Sequence, residues 1–286
     1  MKYTTLINCE DAAAHRGDPA WQFIDCRFSL EDGDLGARLY QESHIPGAVY
    51  AHLDHDLSGP AVTGKTGRHP LPTPLRLVET FSRLGIGTST QVIAYDDTNG
   101  QMAAARLWWL LRWAGHDSAA VLNGGFREWR RLGLPQRAGT EAARKTQFVG
   151  QFRDELIVNA GDVADNLKQG DYVILDSRSV DRFWGENERI DPVAGHIPGA
   201  VSAPFTENSS ASGLMRSTEE LHNRFETLAP GKDSDHVVFY CGSGVTAAQN
   251  VLAYAHARLG MPKLYAGSWS EWITDRNRPV AKKERL

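Results

Sequence analysis

Cys241 is the residue best placed to do chemistry. It ends the β-branched and aromatic run Val237-Val238-Phe239-Tyr240 and is followed by Gly242-Ser243-Gly244-Val245-Thr246 and a stretch of helical character. This order predicts a thiol at the C-terminal end of a strand, inside a short loop whose backbone N–H groups face inward. A helix beginning near Val245 adds the positive end of its dipole. Each feature favours thiolate over thiol, and the thiolate is the nucleophile. A free cysteine is more often a small core residue, and Cys9 and Cys26, which lack a glycine loop, are expected to be that. Asp176 closes another apolar run, Tyr172-Val173-Ile174-Leu175, and is expected to tie down the loops near Cys241 rather than to react.

The elements that must hold this thiol occur twice. His44-Ile45-Pro46-Gly47-Ala48-Val49 recurs as His196-Ile197-Pro198-Gly199-Ala200-Val201, and Ile24-Asp25-Cys26-Arg27 as Leu175-Asp176-Ser177-Arg178. Val92-Ile93-Ala94-Tyr95-Asp96 matches Val237–Cys241, and Gly124-Gly125-Phe126-Arg127-Glu128-Trp129 matches Gly267-Ser268-Trp269-Ser270-Glu271-Trp272. Four matches in one order indicate a duplication, and a period this long indicates two tandem domains rather than a solenoid. The expected division is residues 1–136, a polar linker over 137–155, and residues 156–286.

Each half alternates short apolar runs with longer periodic ones. Strands are predicted over 21–26, 48–50, 92–95 and 119–122, then over 172–176, 200–203, 237–240 and 263–265. Helices are predicted over 75–84 and 102–114, then over 162–168, 218–228 and 245–259. This alternation predicts an α/β class, with one mostly parallel sheet covered on both faces in each half. Ligands of such folds sit beyond the carboxyl ends of the strands, where Cys241 falls. Asp96 stands in the first half where Cys241 stands in the second, and a carboxylate is no sulfur nucleophile. The first half is therefore expected to be a silent copy that walls the cleft. His44 and His196 occur in both copies and read as scaffold, and Trp108, Trp109 and Trp113 follow helical spacing and read as packing.

Composition narrows the field further. With 31 Lys and Arg against 35 Asp and Glu, the chain has no whole-molecule attraction for nucleic acid or anionic membranes. No apolar run is long enough to span a bilayer, and the N-terminus has no apolar signal core. Three scattered cysteines without a CxxC pair suggest neither a disulfide framework nor a zinc site, and they fit a reducing compartment. The expected location is cytoplasmic.

The repeated HIPGA segments, the Leu-Asp-Ser-Arg strand end, the Cys-centred loop and the Gly-Ser-Trp-Ser-Glu-Trp segment together resemble a two-domain sulfurtransferase of the rhodanese family. The resemblance covers both halves in order. It implies two α/β/α domains, a reactive cysteine only in the second, and a double displacement. In that reaction Cys241 takes the sulfane sulfur of a small donor as a persulfide and passes it to cyanide, a thiol or a thioredoxin, with no metal or organic cofactor. Family members that prefer thiosulfate tend to carry Arg and Lys after the cysteine, whereas Gly242 and Ser243 are uncharged. The Cys-Gly-Ser-Gly-Val-Thr loop resembles the class that takes 3-mercaptopyruvate. By the same resemblance Arg182 and Arg189 bind the donor's anionic group, with Gly242, Gly244, Val245 and Thr246 cradling it. Ser243, His69 and Asp54 relay a proton to the leaving enolate.

Three rival readings bear on the same loop. A cysteine phosphatase would need an arginine six residues after Cys241, where Ala247 stands. A non-catalytic sulfur carrier or interaction module is opposed by the intact cysteine, glycines and arginines. Thiosulfate as the main donor differs only in substrate, and the ratio of kcat/KM values decides it.

Overall fold

The computed structural model describes residues 2–282, so Met1 and residues 283–286 at the outer ends of the two expected domains lie outside it. The chain forms two compact units. The first consists of residues up to Gly59, Pro72–Arg153 and Ser209–Met215; the second consists of Pro60–Leu71, Asp154–Asn208 and the chain from Arg216 onward. Each unit thus takes one short segment from the other half of the sequence.

The first unit runs β1 (Leu6–Ile7), α1 (Cys9–Ala14), β2 (Trp21–Asp25), α2 (Leu35–Glu42), β3 (Val49–Tyr50), α3 (Pro74–Arg83), β4 (Gln91–Tyr95), α4 (Ala103–Trp113), β5 (Ala119–Leu122) and α5 (Gly125–Arg131). The second runs β6 (Ile157–Val158), α6 (Ala160–Gln169), β7 (Val173–Asp176), α7 (Val180–Trp184), β8 (Val201–Ser202), α8 (Thr218–Leu228), β9 (Val237–Tyr240), α9 (Ala247–His256), β10 (Lys263–Tyr265) and α10 (Ser268–Trp272). Both sheets are five-stranded, with orders β1-β5-β4-β2-β3 and β6-β10-β9-β7-β8, and every pairing is parallel. The two orders are one topology written twice.

Local chemistry accounts for the elements that the sequence predicts. β4 and β9 are buried along their whole length, so they read as continuous apolar runs rather than alternating ones. α3 begins on a Thr73 cap with Pro74 in its first turn, and Leu77 and Phe81, four apart, face the core. α8 begins on a capping box in which Ser217 and Glu220 satisfy each other's backbone N–H groups, and Leu221 and Phe225 are its buried stripe. One core collects Phe23, Ile93, Tyr95, Phe126 and Trp129; the other collects Ile174, Val238, Tyr240, Trp269 and Trp272.

Several expectations change. The outer strands β1 and β6 are two residues long and gave no periodic signal. α9 starts at Ala247 rather than near Val245, because Val245 and Thr246 form the turn that leads into it. Residues 137–153, expected to be a linker, pack along the first unit. Phe148 is buried against Phe81 at 5.0 Å between ring centroids, and Arg144 donates to the carbonyl of Trp21 at 2.7 Å.

Candidate active site

In the second unit β9 is central, so its carboxyl end delivers Cys241 between the ends of β7 and β10. The loop that follows is pinned by α10. Trp269 N–H donates to the carbonyl of Cys241 at 3.0 Å, and Ser270 N–H to that of Gly242 at 2.9 Å. Since a trans peptide places N–H opposite C=O, the N–H groups of Gly242 and Ser243 point away from α10. Gly244 N–H donates to Cys241 Sγ at 3.1 Å, an interaction that strengthens when the sulfur carries charge. Gly244 must be glycine: its φ is +77°, and a Cβ there would lie 2.2 Å from the carbonyl of Ala266. The hydroxyl of Ser268 accepts the N–H of Cys241 at 3.1 Å and donates to the carbonyl of Tyr265 at 2.9 Å.

Residues 60–71 bring two more side chains to this loop. Ser270 Oγ accepts the N–H of Arg68 at 3.1 Å, and Gly67 passes so close to Gly267 that a Cβ would sit 2.5 Å from its carbonyl oxygen. Held this way, His69 Nδ1 and Ser243 Oγ share a hydrogen bond of 2.8 Å. A Cβ on Gly242 would lie 2.8 Å from Arg68 Nη2 and 3.6 Å from Arg182 Nη2, so two guanidiniums flank the residue next to the thiol. Both contact one buried carboxylate, Asp191, Arg68 through Oδ1 and Arg182 through Oδ2 at 3.0 Å. Arg182 Nε also donates to Glu188 at 2.9 Å. Burial raises the Asp191 carboxyl above the ordinary range against the pull of Arg68. Burial also pushes Glu188 up, but bonds from Arg182 and the N–H groups of Asp191 and Ile190 outweigh it and hold that carboxyl low.

The expected site residues therefore divide. Cys241, Gly242, Ser243, Gly244, Arg182 and His69 come together. Val245 and Thr246 form the turn into α9. Asp176, at the end of β7, is fully buried and forms a two-pronged pair with Arg178, which also donates to the carbonyl of Gly195 at 2.7 Å. Arg189 is exposed and donates from Nε to Asn187 at 2.9 Å. Asp54 lies in the first unit, its N–H donating to His52 Nδ1 at 3.0 Å. Arg68, Asp191, Ser268 and Ser270 were not singled out from sequence. Only the match of Ser268 to Gly125 hinted that its backbone is unusual.

The equivalent loop of the first unit is already filled. Asp96 is fully buried, and its carboxylate accepts N–H bonds from Thr98, Gly100, Met102 and Ala104 at 3.0–3.3 Å, along with the Thr98 hydroxyl. Burial pushes this carboxyl up and the N–H groups pull it back. Phe126 N–H donates to the carbonyl of Asp96 at 2.7 Å, just as Trp269 does to Cys241.

The profile of the rhodanese-like domain matches this chain twice, over residues 8–132 and 159–275. The chain belongs to the rhodanese family. Among relatives of this rhodanese, a Pseudomonas aeruginosa protein named a probable 3-mercaptopyruvate sulfurtransferase is 47% identical over 282 residues, covering 98% of this chain and 99% of the relative. SseB of Mycobacterium tuberculosis, provisionally named a thiosulfate sulfurtransferase, is 36% identical over 278 residues, covering 93% and 92%. The crystal structure of SseA from Escherichia coli, described as a 3-mercaptopyruvate sulfotransferase with the rhodanese fold, superposes with a TM-score of 0.81. It is 33% identical, and the match covers 94% of this chain and 100% of that one. The two tandem rhodanese units expected from the repeat are thus shown.

Proposed function

We propose that this rhodanese is a sulfurtransferase that moves sulfur from 3-mercaptopyruvate through a Cys241 persulfide to a thiophilic acceptor. The observation that carries the reading is the joining of Cys241 Sγ to the Gly244 N–H on one side of the loop and of Ser243 to His69 on the other. The Cys241 thiolate attacks the donor sulfur, the S–S bond forms, and the C–S bond breaks with its electron pair left on carbon. The proton formally lost from the donor thiol ends on that carbon, giving pyruvate. Ser243 and His69 are the relay for it, imidazole being able to give and take a proton near neutrality. An acceptor such as cyanide then attacks the outer sulfur and releases the thiolate.

Loop composition supports this donor. Gly242 and Ser243 bring no cation, so charge for the donor comes from the guanidiniums above them, which suit a carboxylate. The same chemistry admits a protein thiol such as thioredoxin as acceptor. The first unit transfers no sulfur, since Asp96 fills its loop. Three cysteines without a disulfide fit a reducing, cytoplasmic setting, and no helix among the described residues is long and apolar enough to cross a membrane.

The test is to mix the purified protein with 3-mercaptopyruvate and follow pyruvate release together with the intact mass. One added sulfur that disappears on Cys241→Ser and on adding cyanide supports the reading. Pyruvate release without any enzyme-bound sulfur overturns the persulfide route, and kcat/KM higher for thiosulfate overturns the donor.

A further inference from the structure

The two units hold the helix after the loop in different ways. In the first, the Asp96 carboxylate accepts the N–H groups of Met102 and Ala104 at 3.1 and 3.3 Å, which ties the start of α4 to the end of β4 from inside the loop. Cys241 has no carboxylate for this; among the described residues its sulfur takes the N–H of Gly244 alone. The helix that follows also offers little to grip, because Ala247, Ala248 and Ala253 make up much of its buried face. Side chains this short form shallow ridges, which resist sliding poorly.

A buried amide cluster takes the place of the missing carboxylate. Asn250, the fourth residue of α9, donates from Nδ2 to Ser177 Oγ and to the carbonyl of Ala203, each at 2.8 Å. Its Oδ1 accepts Asn208 Nδ2 at 2.6 Å, and the same Nδ2 donates to Gln249 Oε1 at 2.7 Å. Asn208 Oδ1 in turn accepts Arg224 Nη1 at 2.9 Å. A guanidinium only donates and a carbonyl only accepts, so the cluster has one polarity, from Arg224 to Ala203, and neither asparagine amide can be flipped. Ser177, Asn208, Gln249 and Asn250 are all fully buried. Buried amides that are paired throughout hold a single geometry. At the places matching Ser177 and Asn250 the first unit has Cys26 and Ala105, which cannot build this cluster.

We propose that Asn250 is a positioning residue for the Cys241 loop: bonded to Ser177 and Asn208, it fixes where α9 starts against the ends of β7 and β8. The N–H of Ser177 donates to the carbonyl of Tyr240 at 2.8 Å, so the fixed point is level with the residue before Cys241. Held from outside, the loop keeps its interior for the sulfur that Cys241 carries, where the first unit fills it with Asp96. The assignment rests on Cys241 being the sulfur carrier and is independent of which donor loads it.

The experiment measures steady-state turnover of 3-mercaptopyruvate and, separately, of thiosulfate with saturating cyanide. It compares Asn250→Ala with Val163→Ala, a truncation of a fully buried core residue on α6. Circular dichroism and thermal unfolding establish the folded fraction of each variant. Misplacing reacting groups by about 1 Å costs about 100-fold, so Asn250→Ala is expected to lower kcat at least about tenfold. Arg182 is untouched, and KM is expected to stay within about twofold of the parent. Val163→Ala, where folded, is expected to keep kcat within about twofold. Should Asn250→Ala not fold, Ser177→Ala removes one of its two acceptors, and a fall in kcat of at least about threefold is expected at unchanged KM. A parent-like kcat in the folded variant, a raised KM with kcat held, or an equal fall in Val163→Ala overturns the assignment. A parent protein whose intact mass gains no sulfur from either donor overturns the reading of Cys241 itself, and this is seen before any variant is made.

Discussion

Ser268 holds the N–H of Cys241 on its hydroxyl at 3.1 Å from a backbone of φ +55°, a left-handed conformation that few non-glycine residues adopt. At the matching place in the first unit stands Gly125, φ +63°. The serine accepts strain of about 1–2 kcal/mol to put a hydroxyl where the first unit's Gly125 has none. Ser268→Ala keeps that strain and strips the acceptor from a buried N–H, so it is expected to cost about 1–3 kcal/mol by urea denaturation. Ser268→Gly relaxes the backbone and is expected to cost less. Equal losses in the two variants would show that the left-handed backbone carries no strain.

Ser243→Ala breaks the 2.8 Å bond to His69 without touching the amide that reaches Cys241. If the pair delivers the proton to the departing carbon, pyruvate release slows by about 100-fold or more. Discharge of persulfide to cyanide needs no such proton and keeps its rate. Rapid-mixing measurements of the two half-reactions separate these outcomes; parallel slowing of both would assign Ser243 to loop geometry.

Removing the acceptor from the filled loop of the first unit has the opposite signature. Asp96→Ala leaves the N–H groups of Thr98, Gly100, Met102 and Ala104 without their carboxylate. A loss of about 3 kcal/mol in chemical denaturation is expected, with kcat unchanged under conditions where the variant stays folded. Lower kcat at full folding would give the first unit a part in turnover.

Acid sensitivity is expected from a histidine outside the chemistry. His196 lies stacked on Phe183 with ring centroids 3.8 Å apart, and burial lowers its pKa below the ordinary histidine value despite its bond to the Phe183 carbonyl. His116 and His256 are lowered by burial in the same way. A depressed folded-state pKa gives stability that is fully present above about pH 6.5 and lost as pH falls through the folded value. Melting temperature should therefore drop on going from pH 7 toward about pH 5, and His196→Gln should flatten part of that slope. A slope identical in the variant assigns the acid loss to other groups.

The thiol, the duplication and the parallel sheets were legible because each leaves a pattern along the chain. Cys241 stands between two glycines and a buried run, and repeats survive as words such as HIPGA. The inner strands are uniformly apolar and hence visible, whereas β1 and β6, two residues each, present no period to read. Spacing places Arg189 seven residues before His196 but does not encode the direction of its side chain, whose Nε donates to Asn187. Arg68 escaped notice for a related reason. It lies 173 residues before Cys241 in the chain, and the bond from its N–H to Ser270 Oγ ties it to the helix that also anchors the cysteine loop.

That tether bears on how the duplicated gene can change. A transcript reduced to its second copy would still encode Cys241, Asp176 and Arg182, yet it would omit the strap at 60–71 that supplies Arg68 and His69. The first half of the chain thus lends parts to the second unit, so truncation would leave Cys241 without the His69–Ser243 bond and without one of the two guanidiniums beside Gly242.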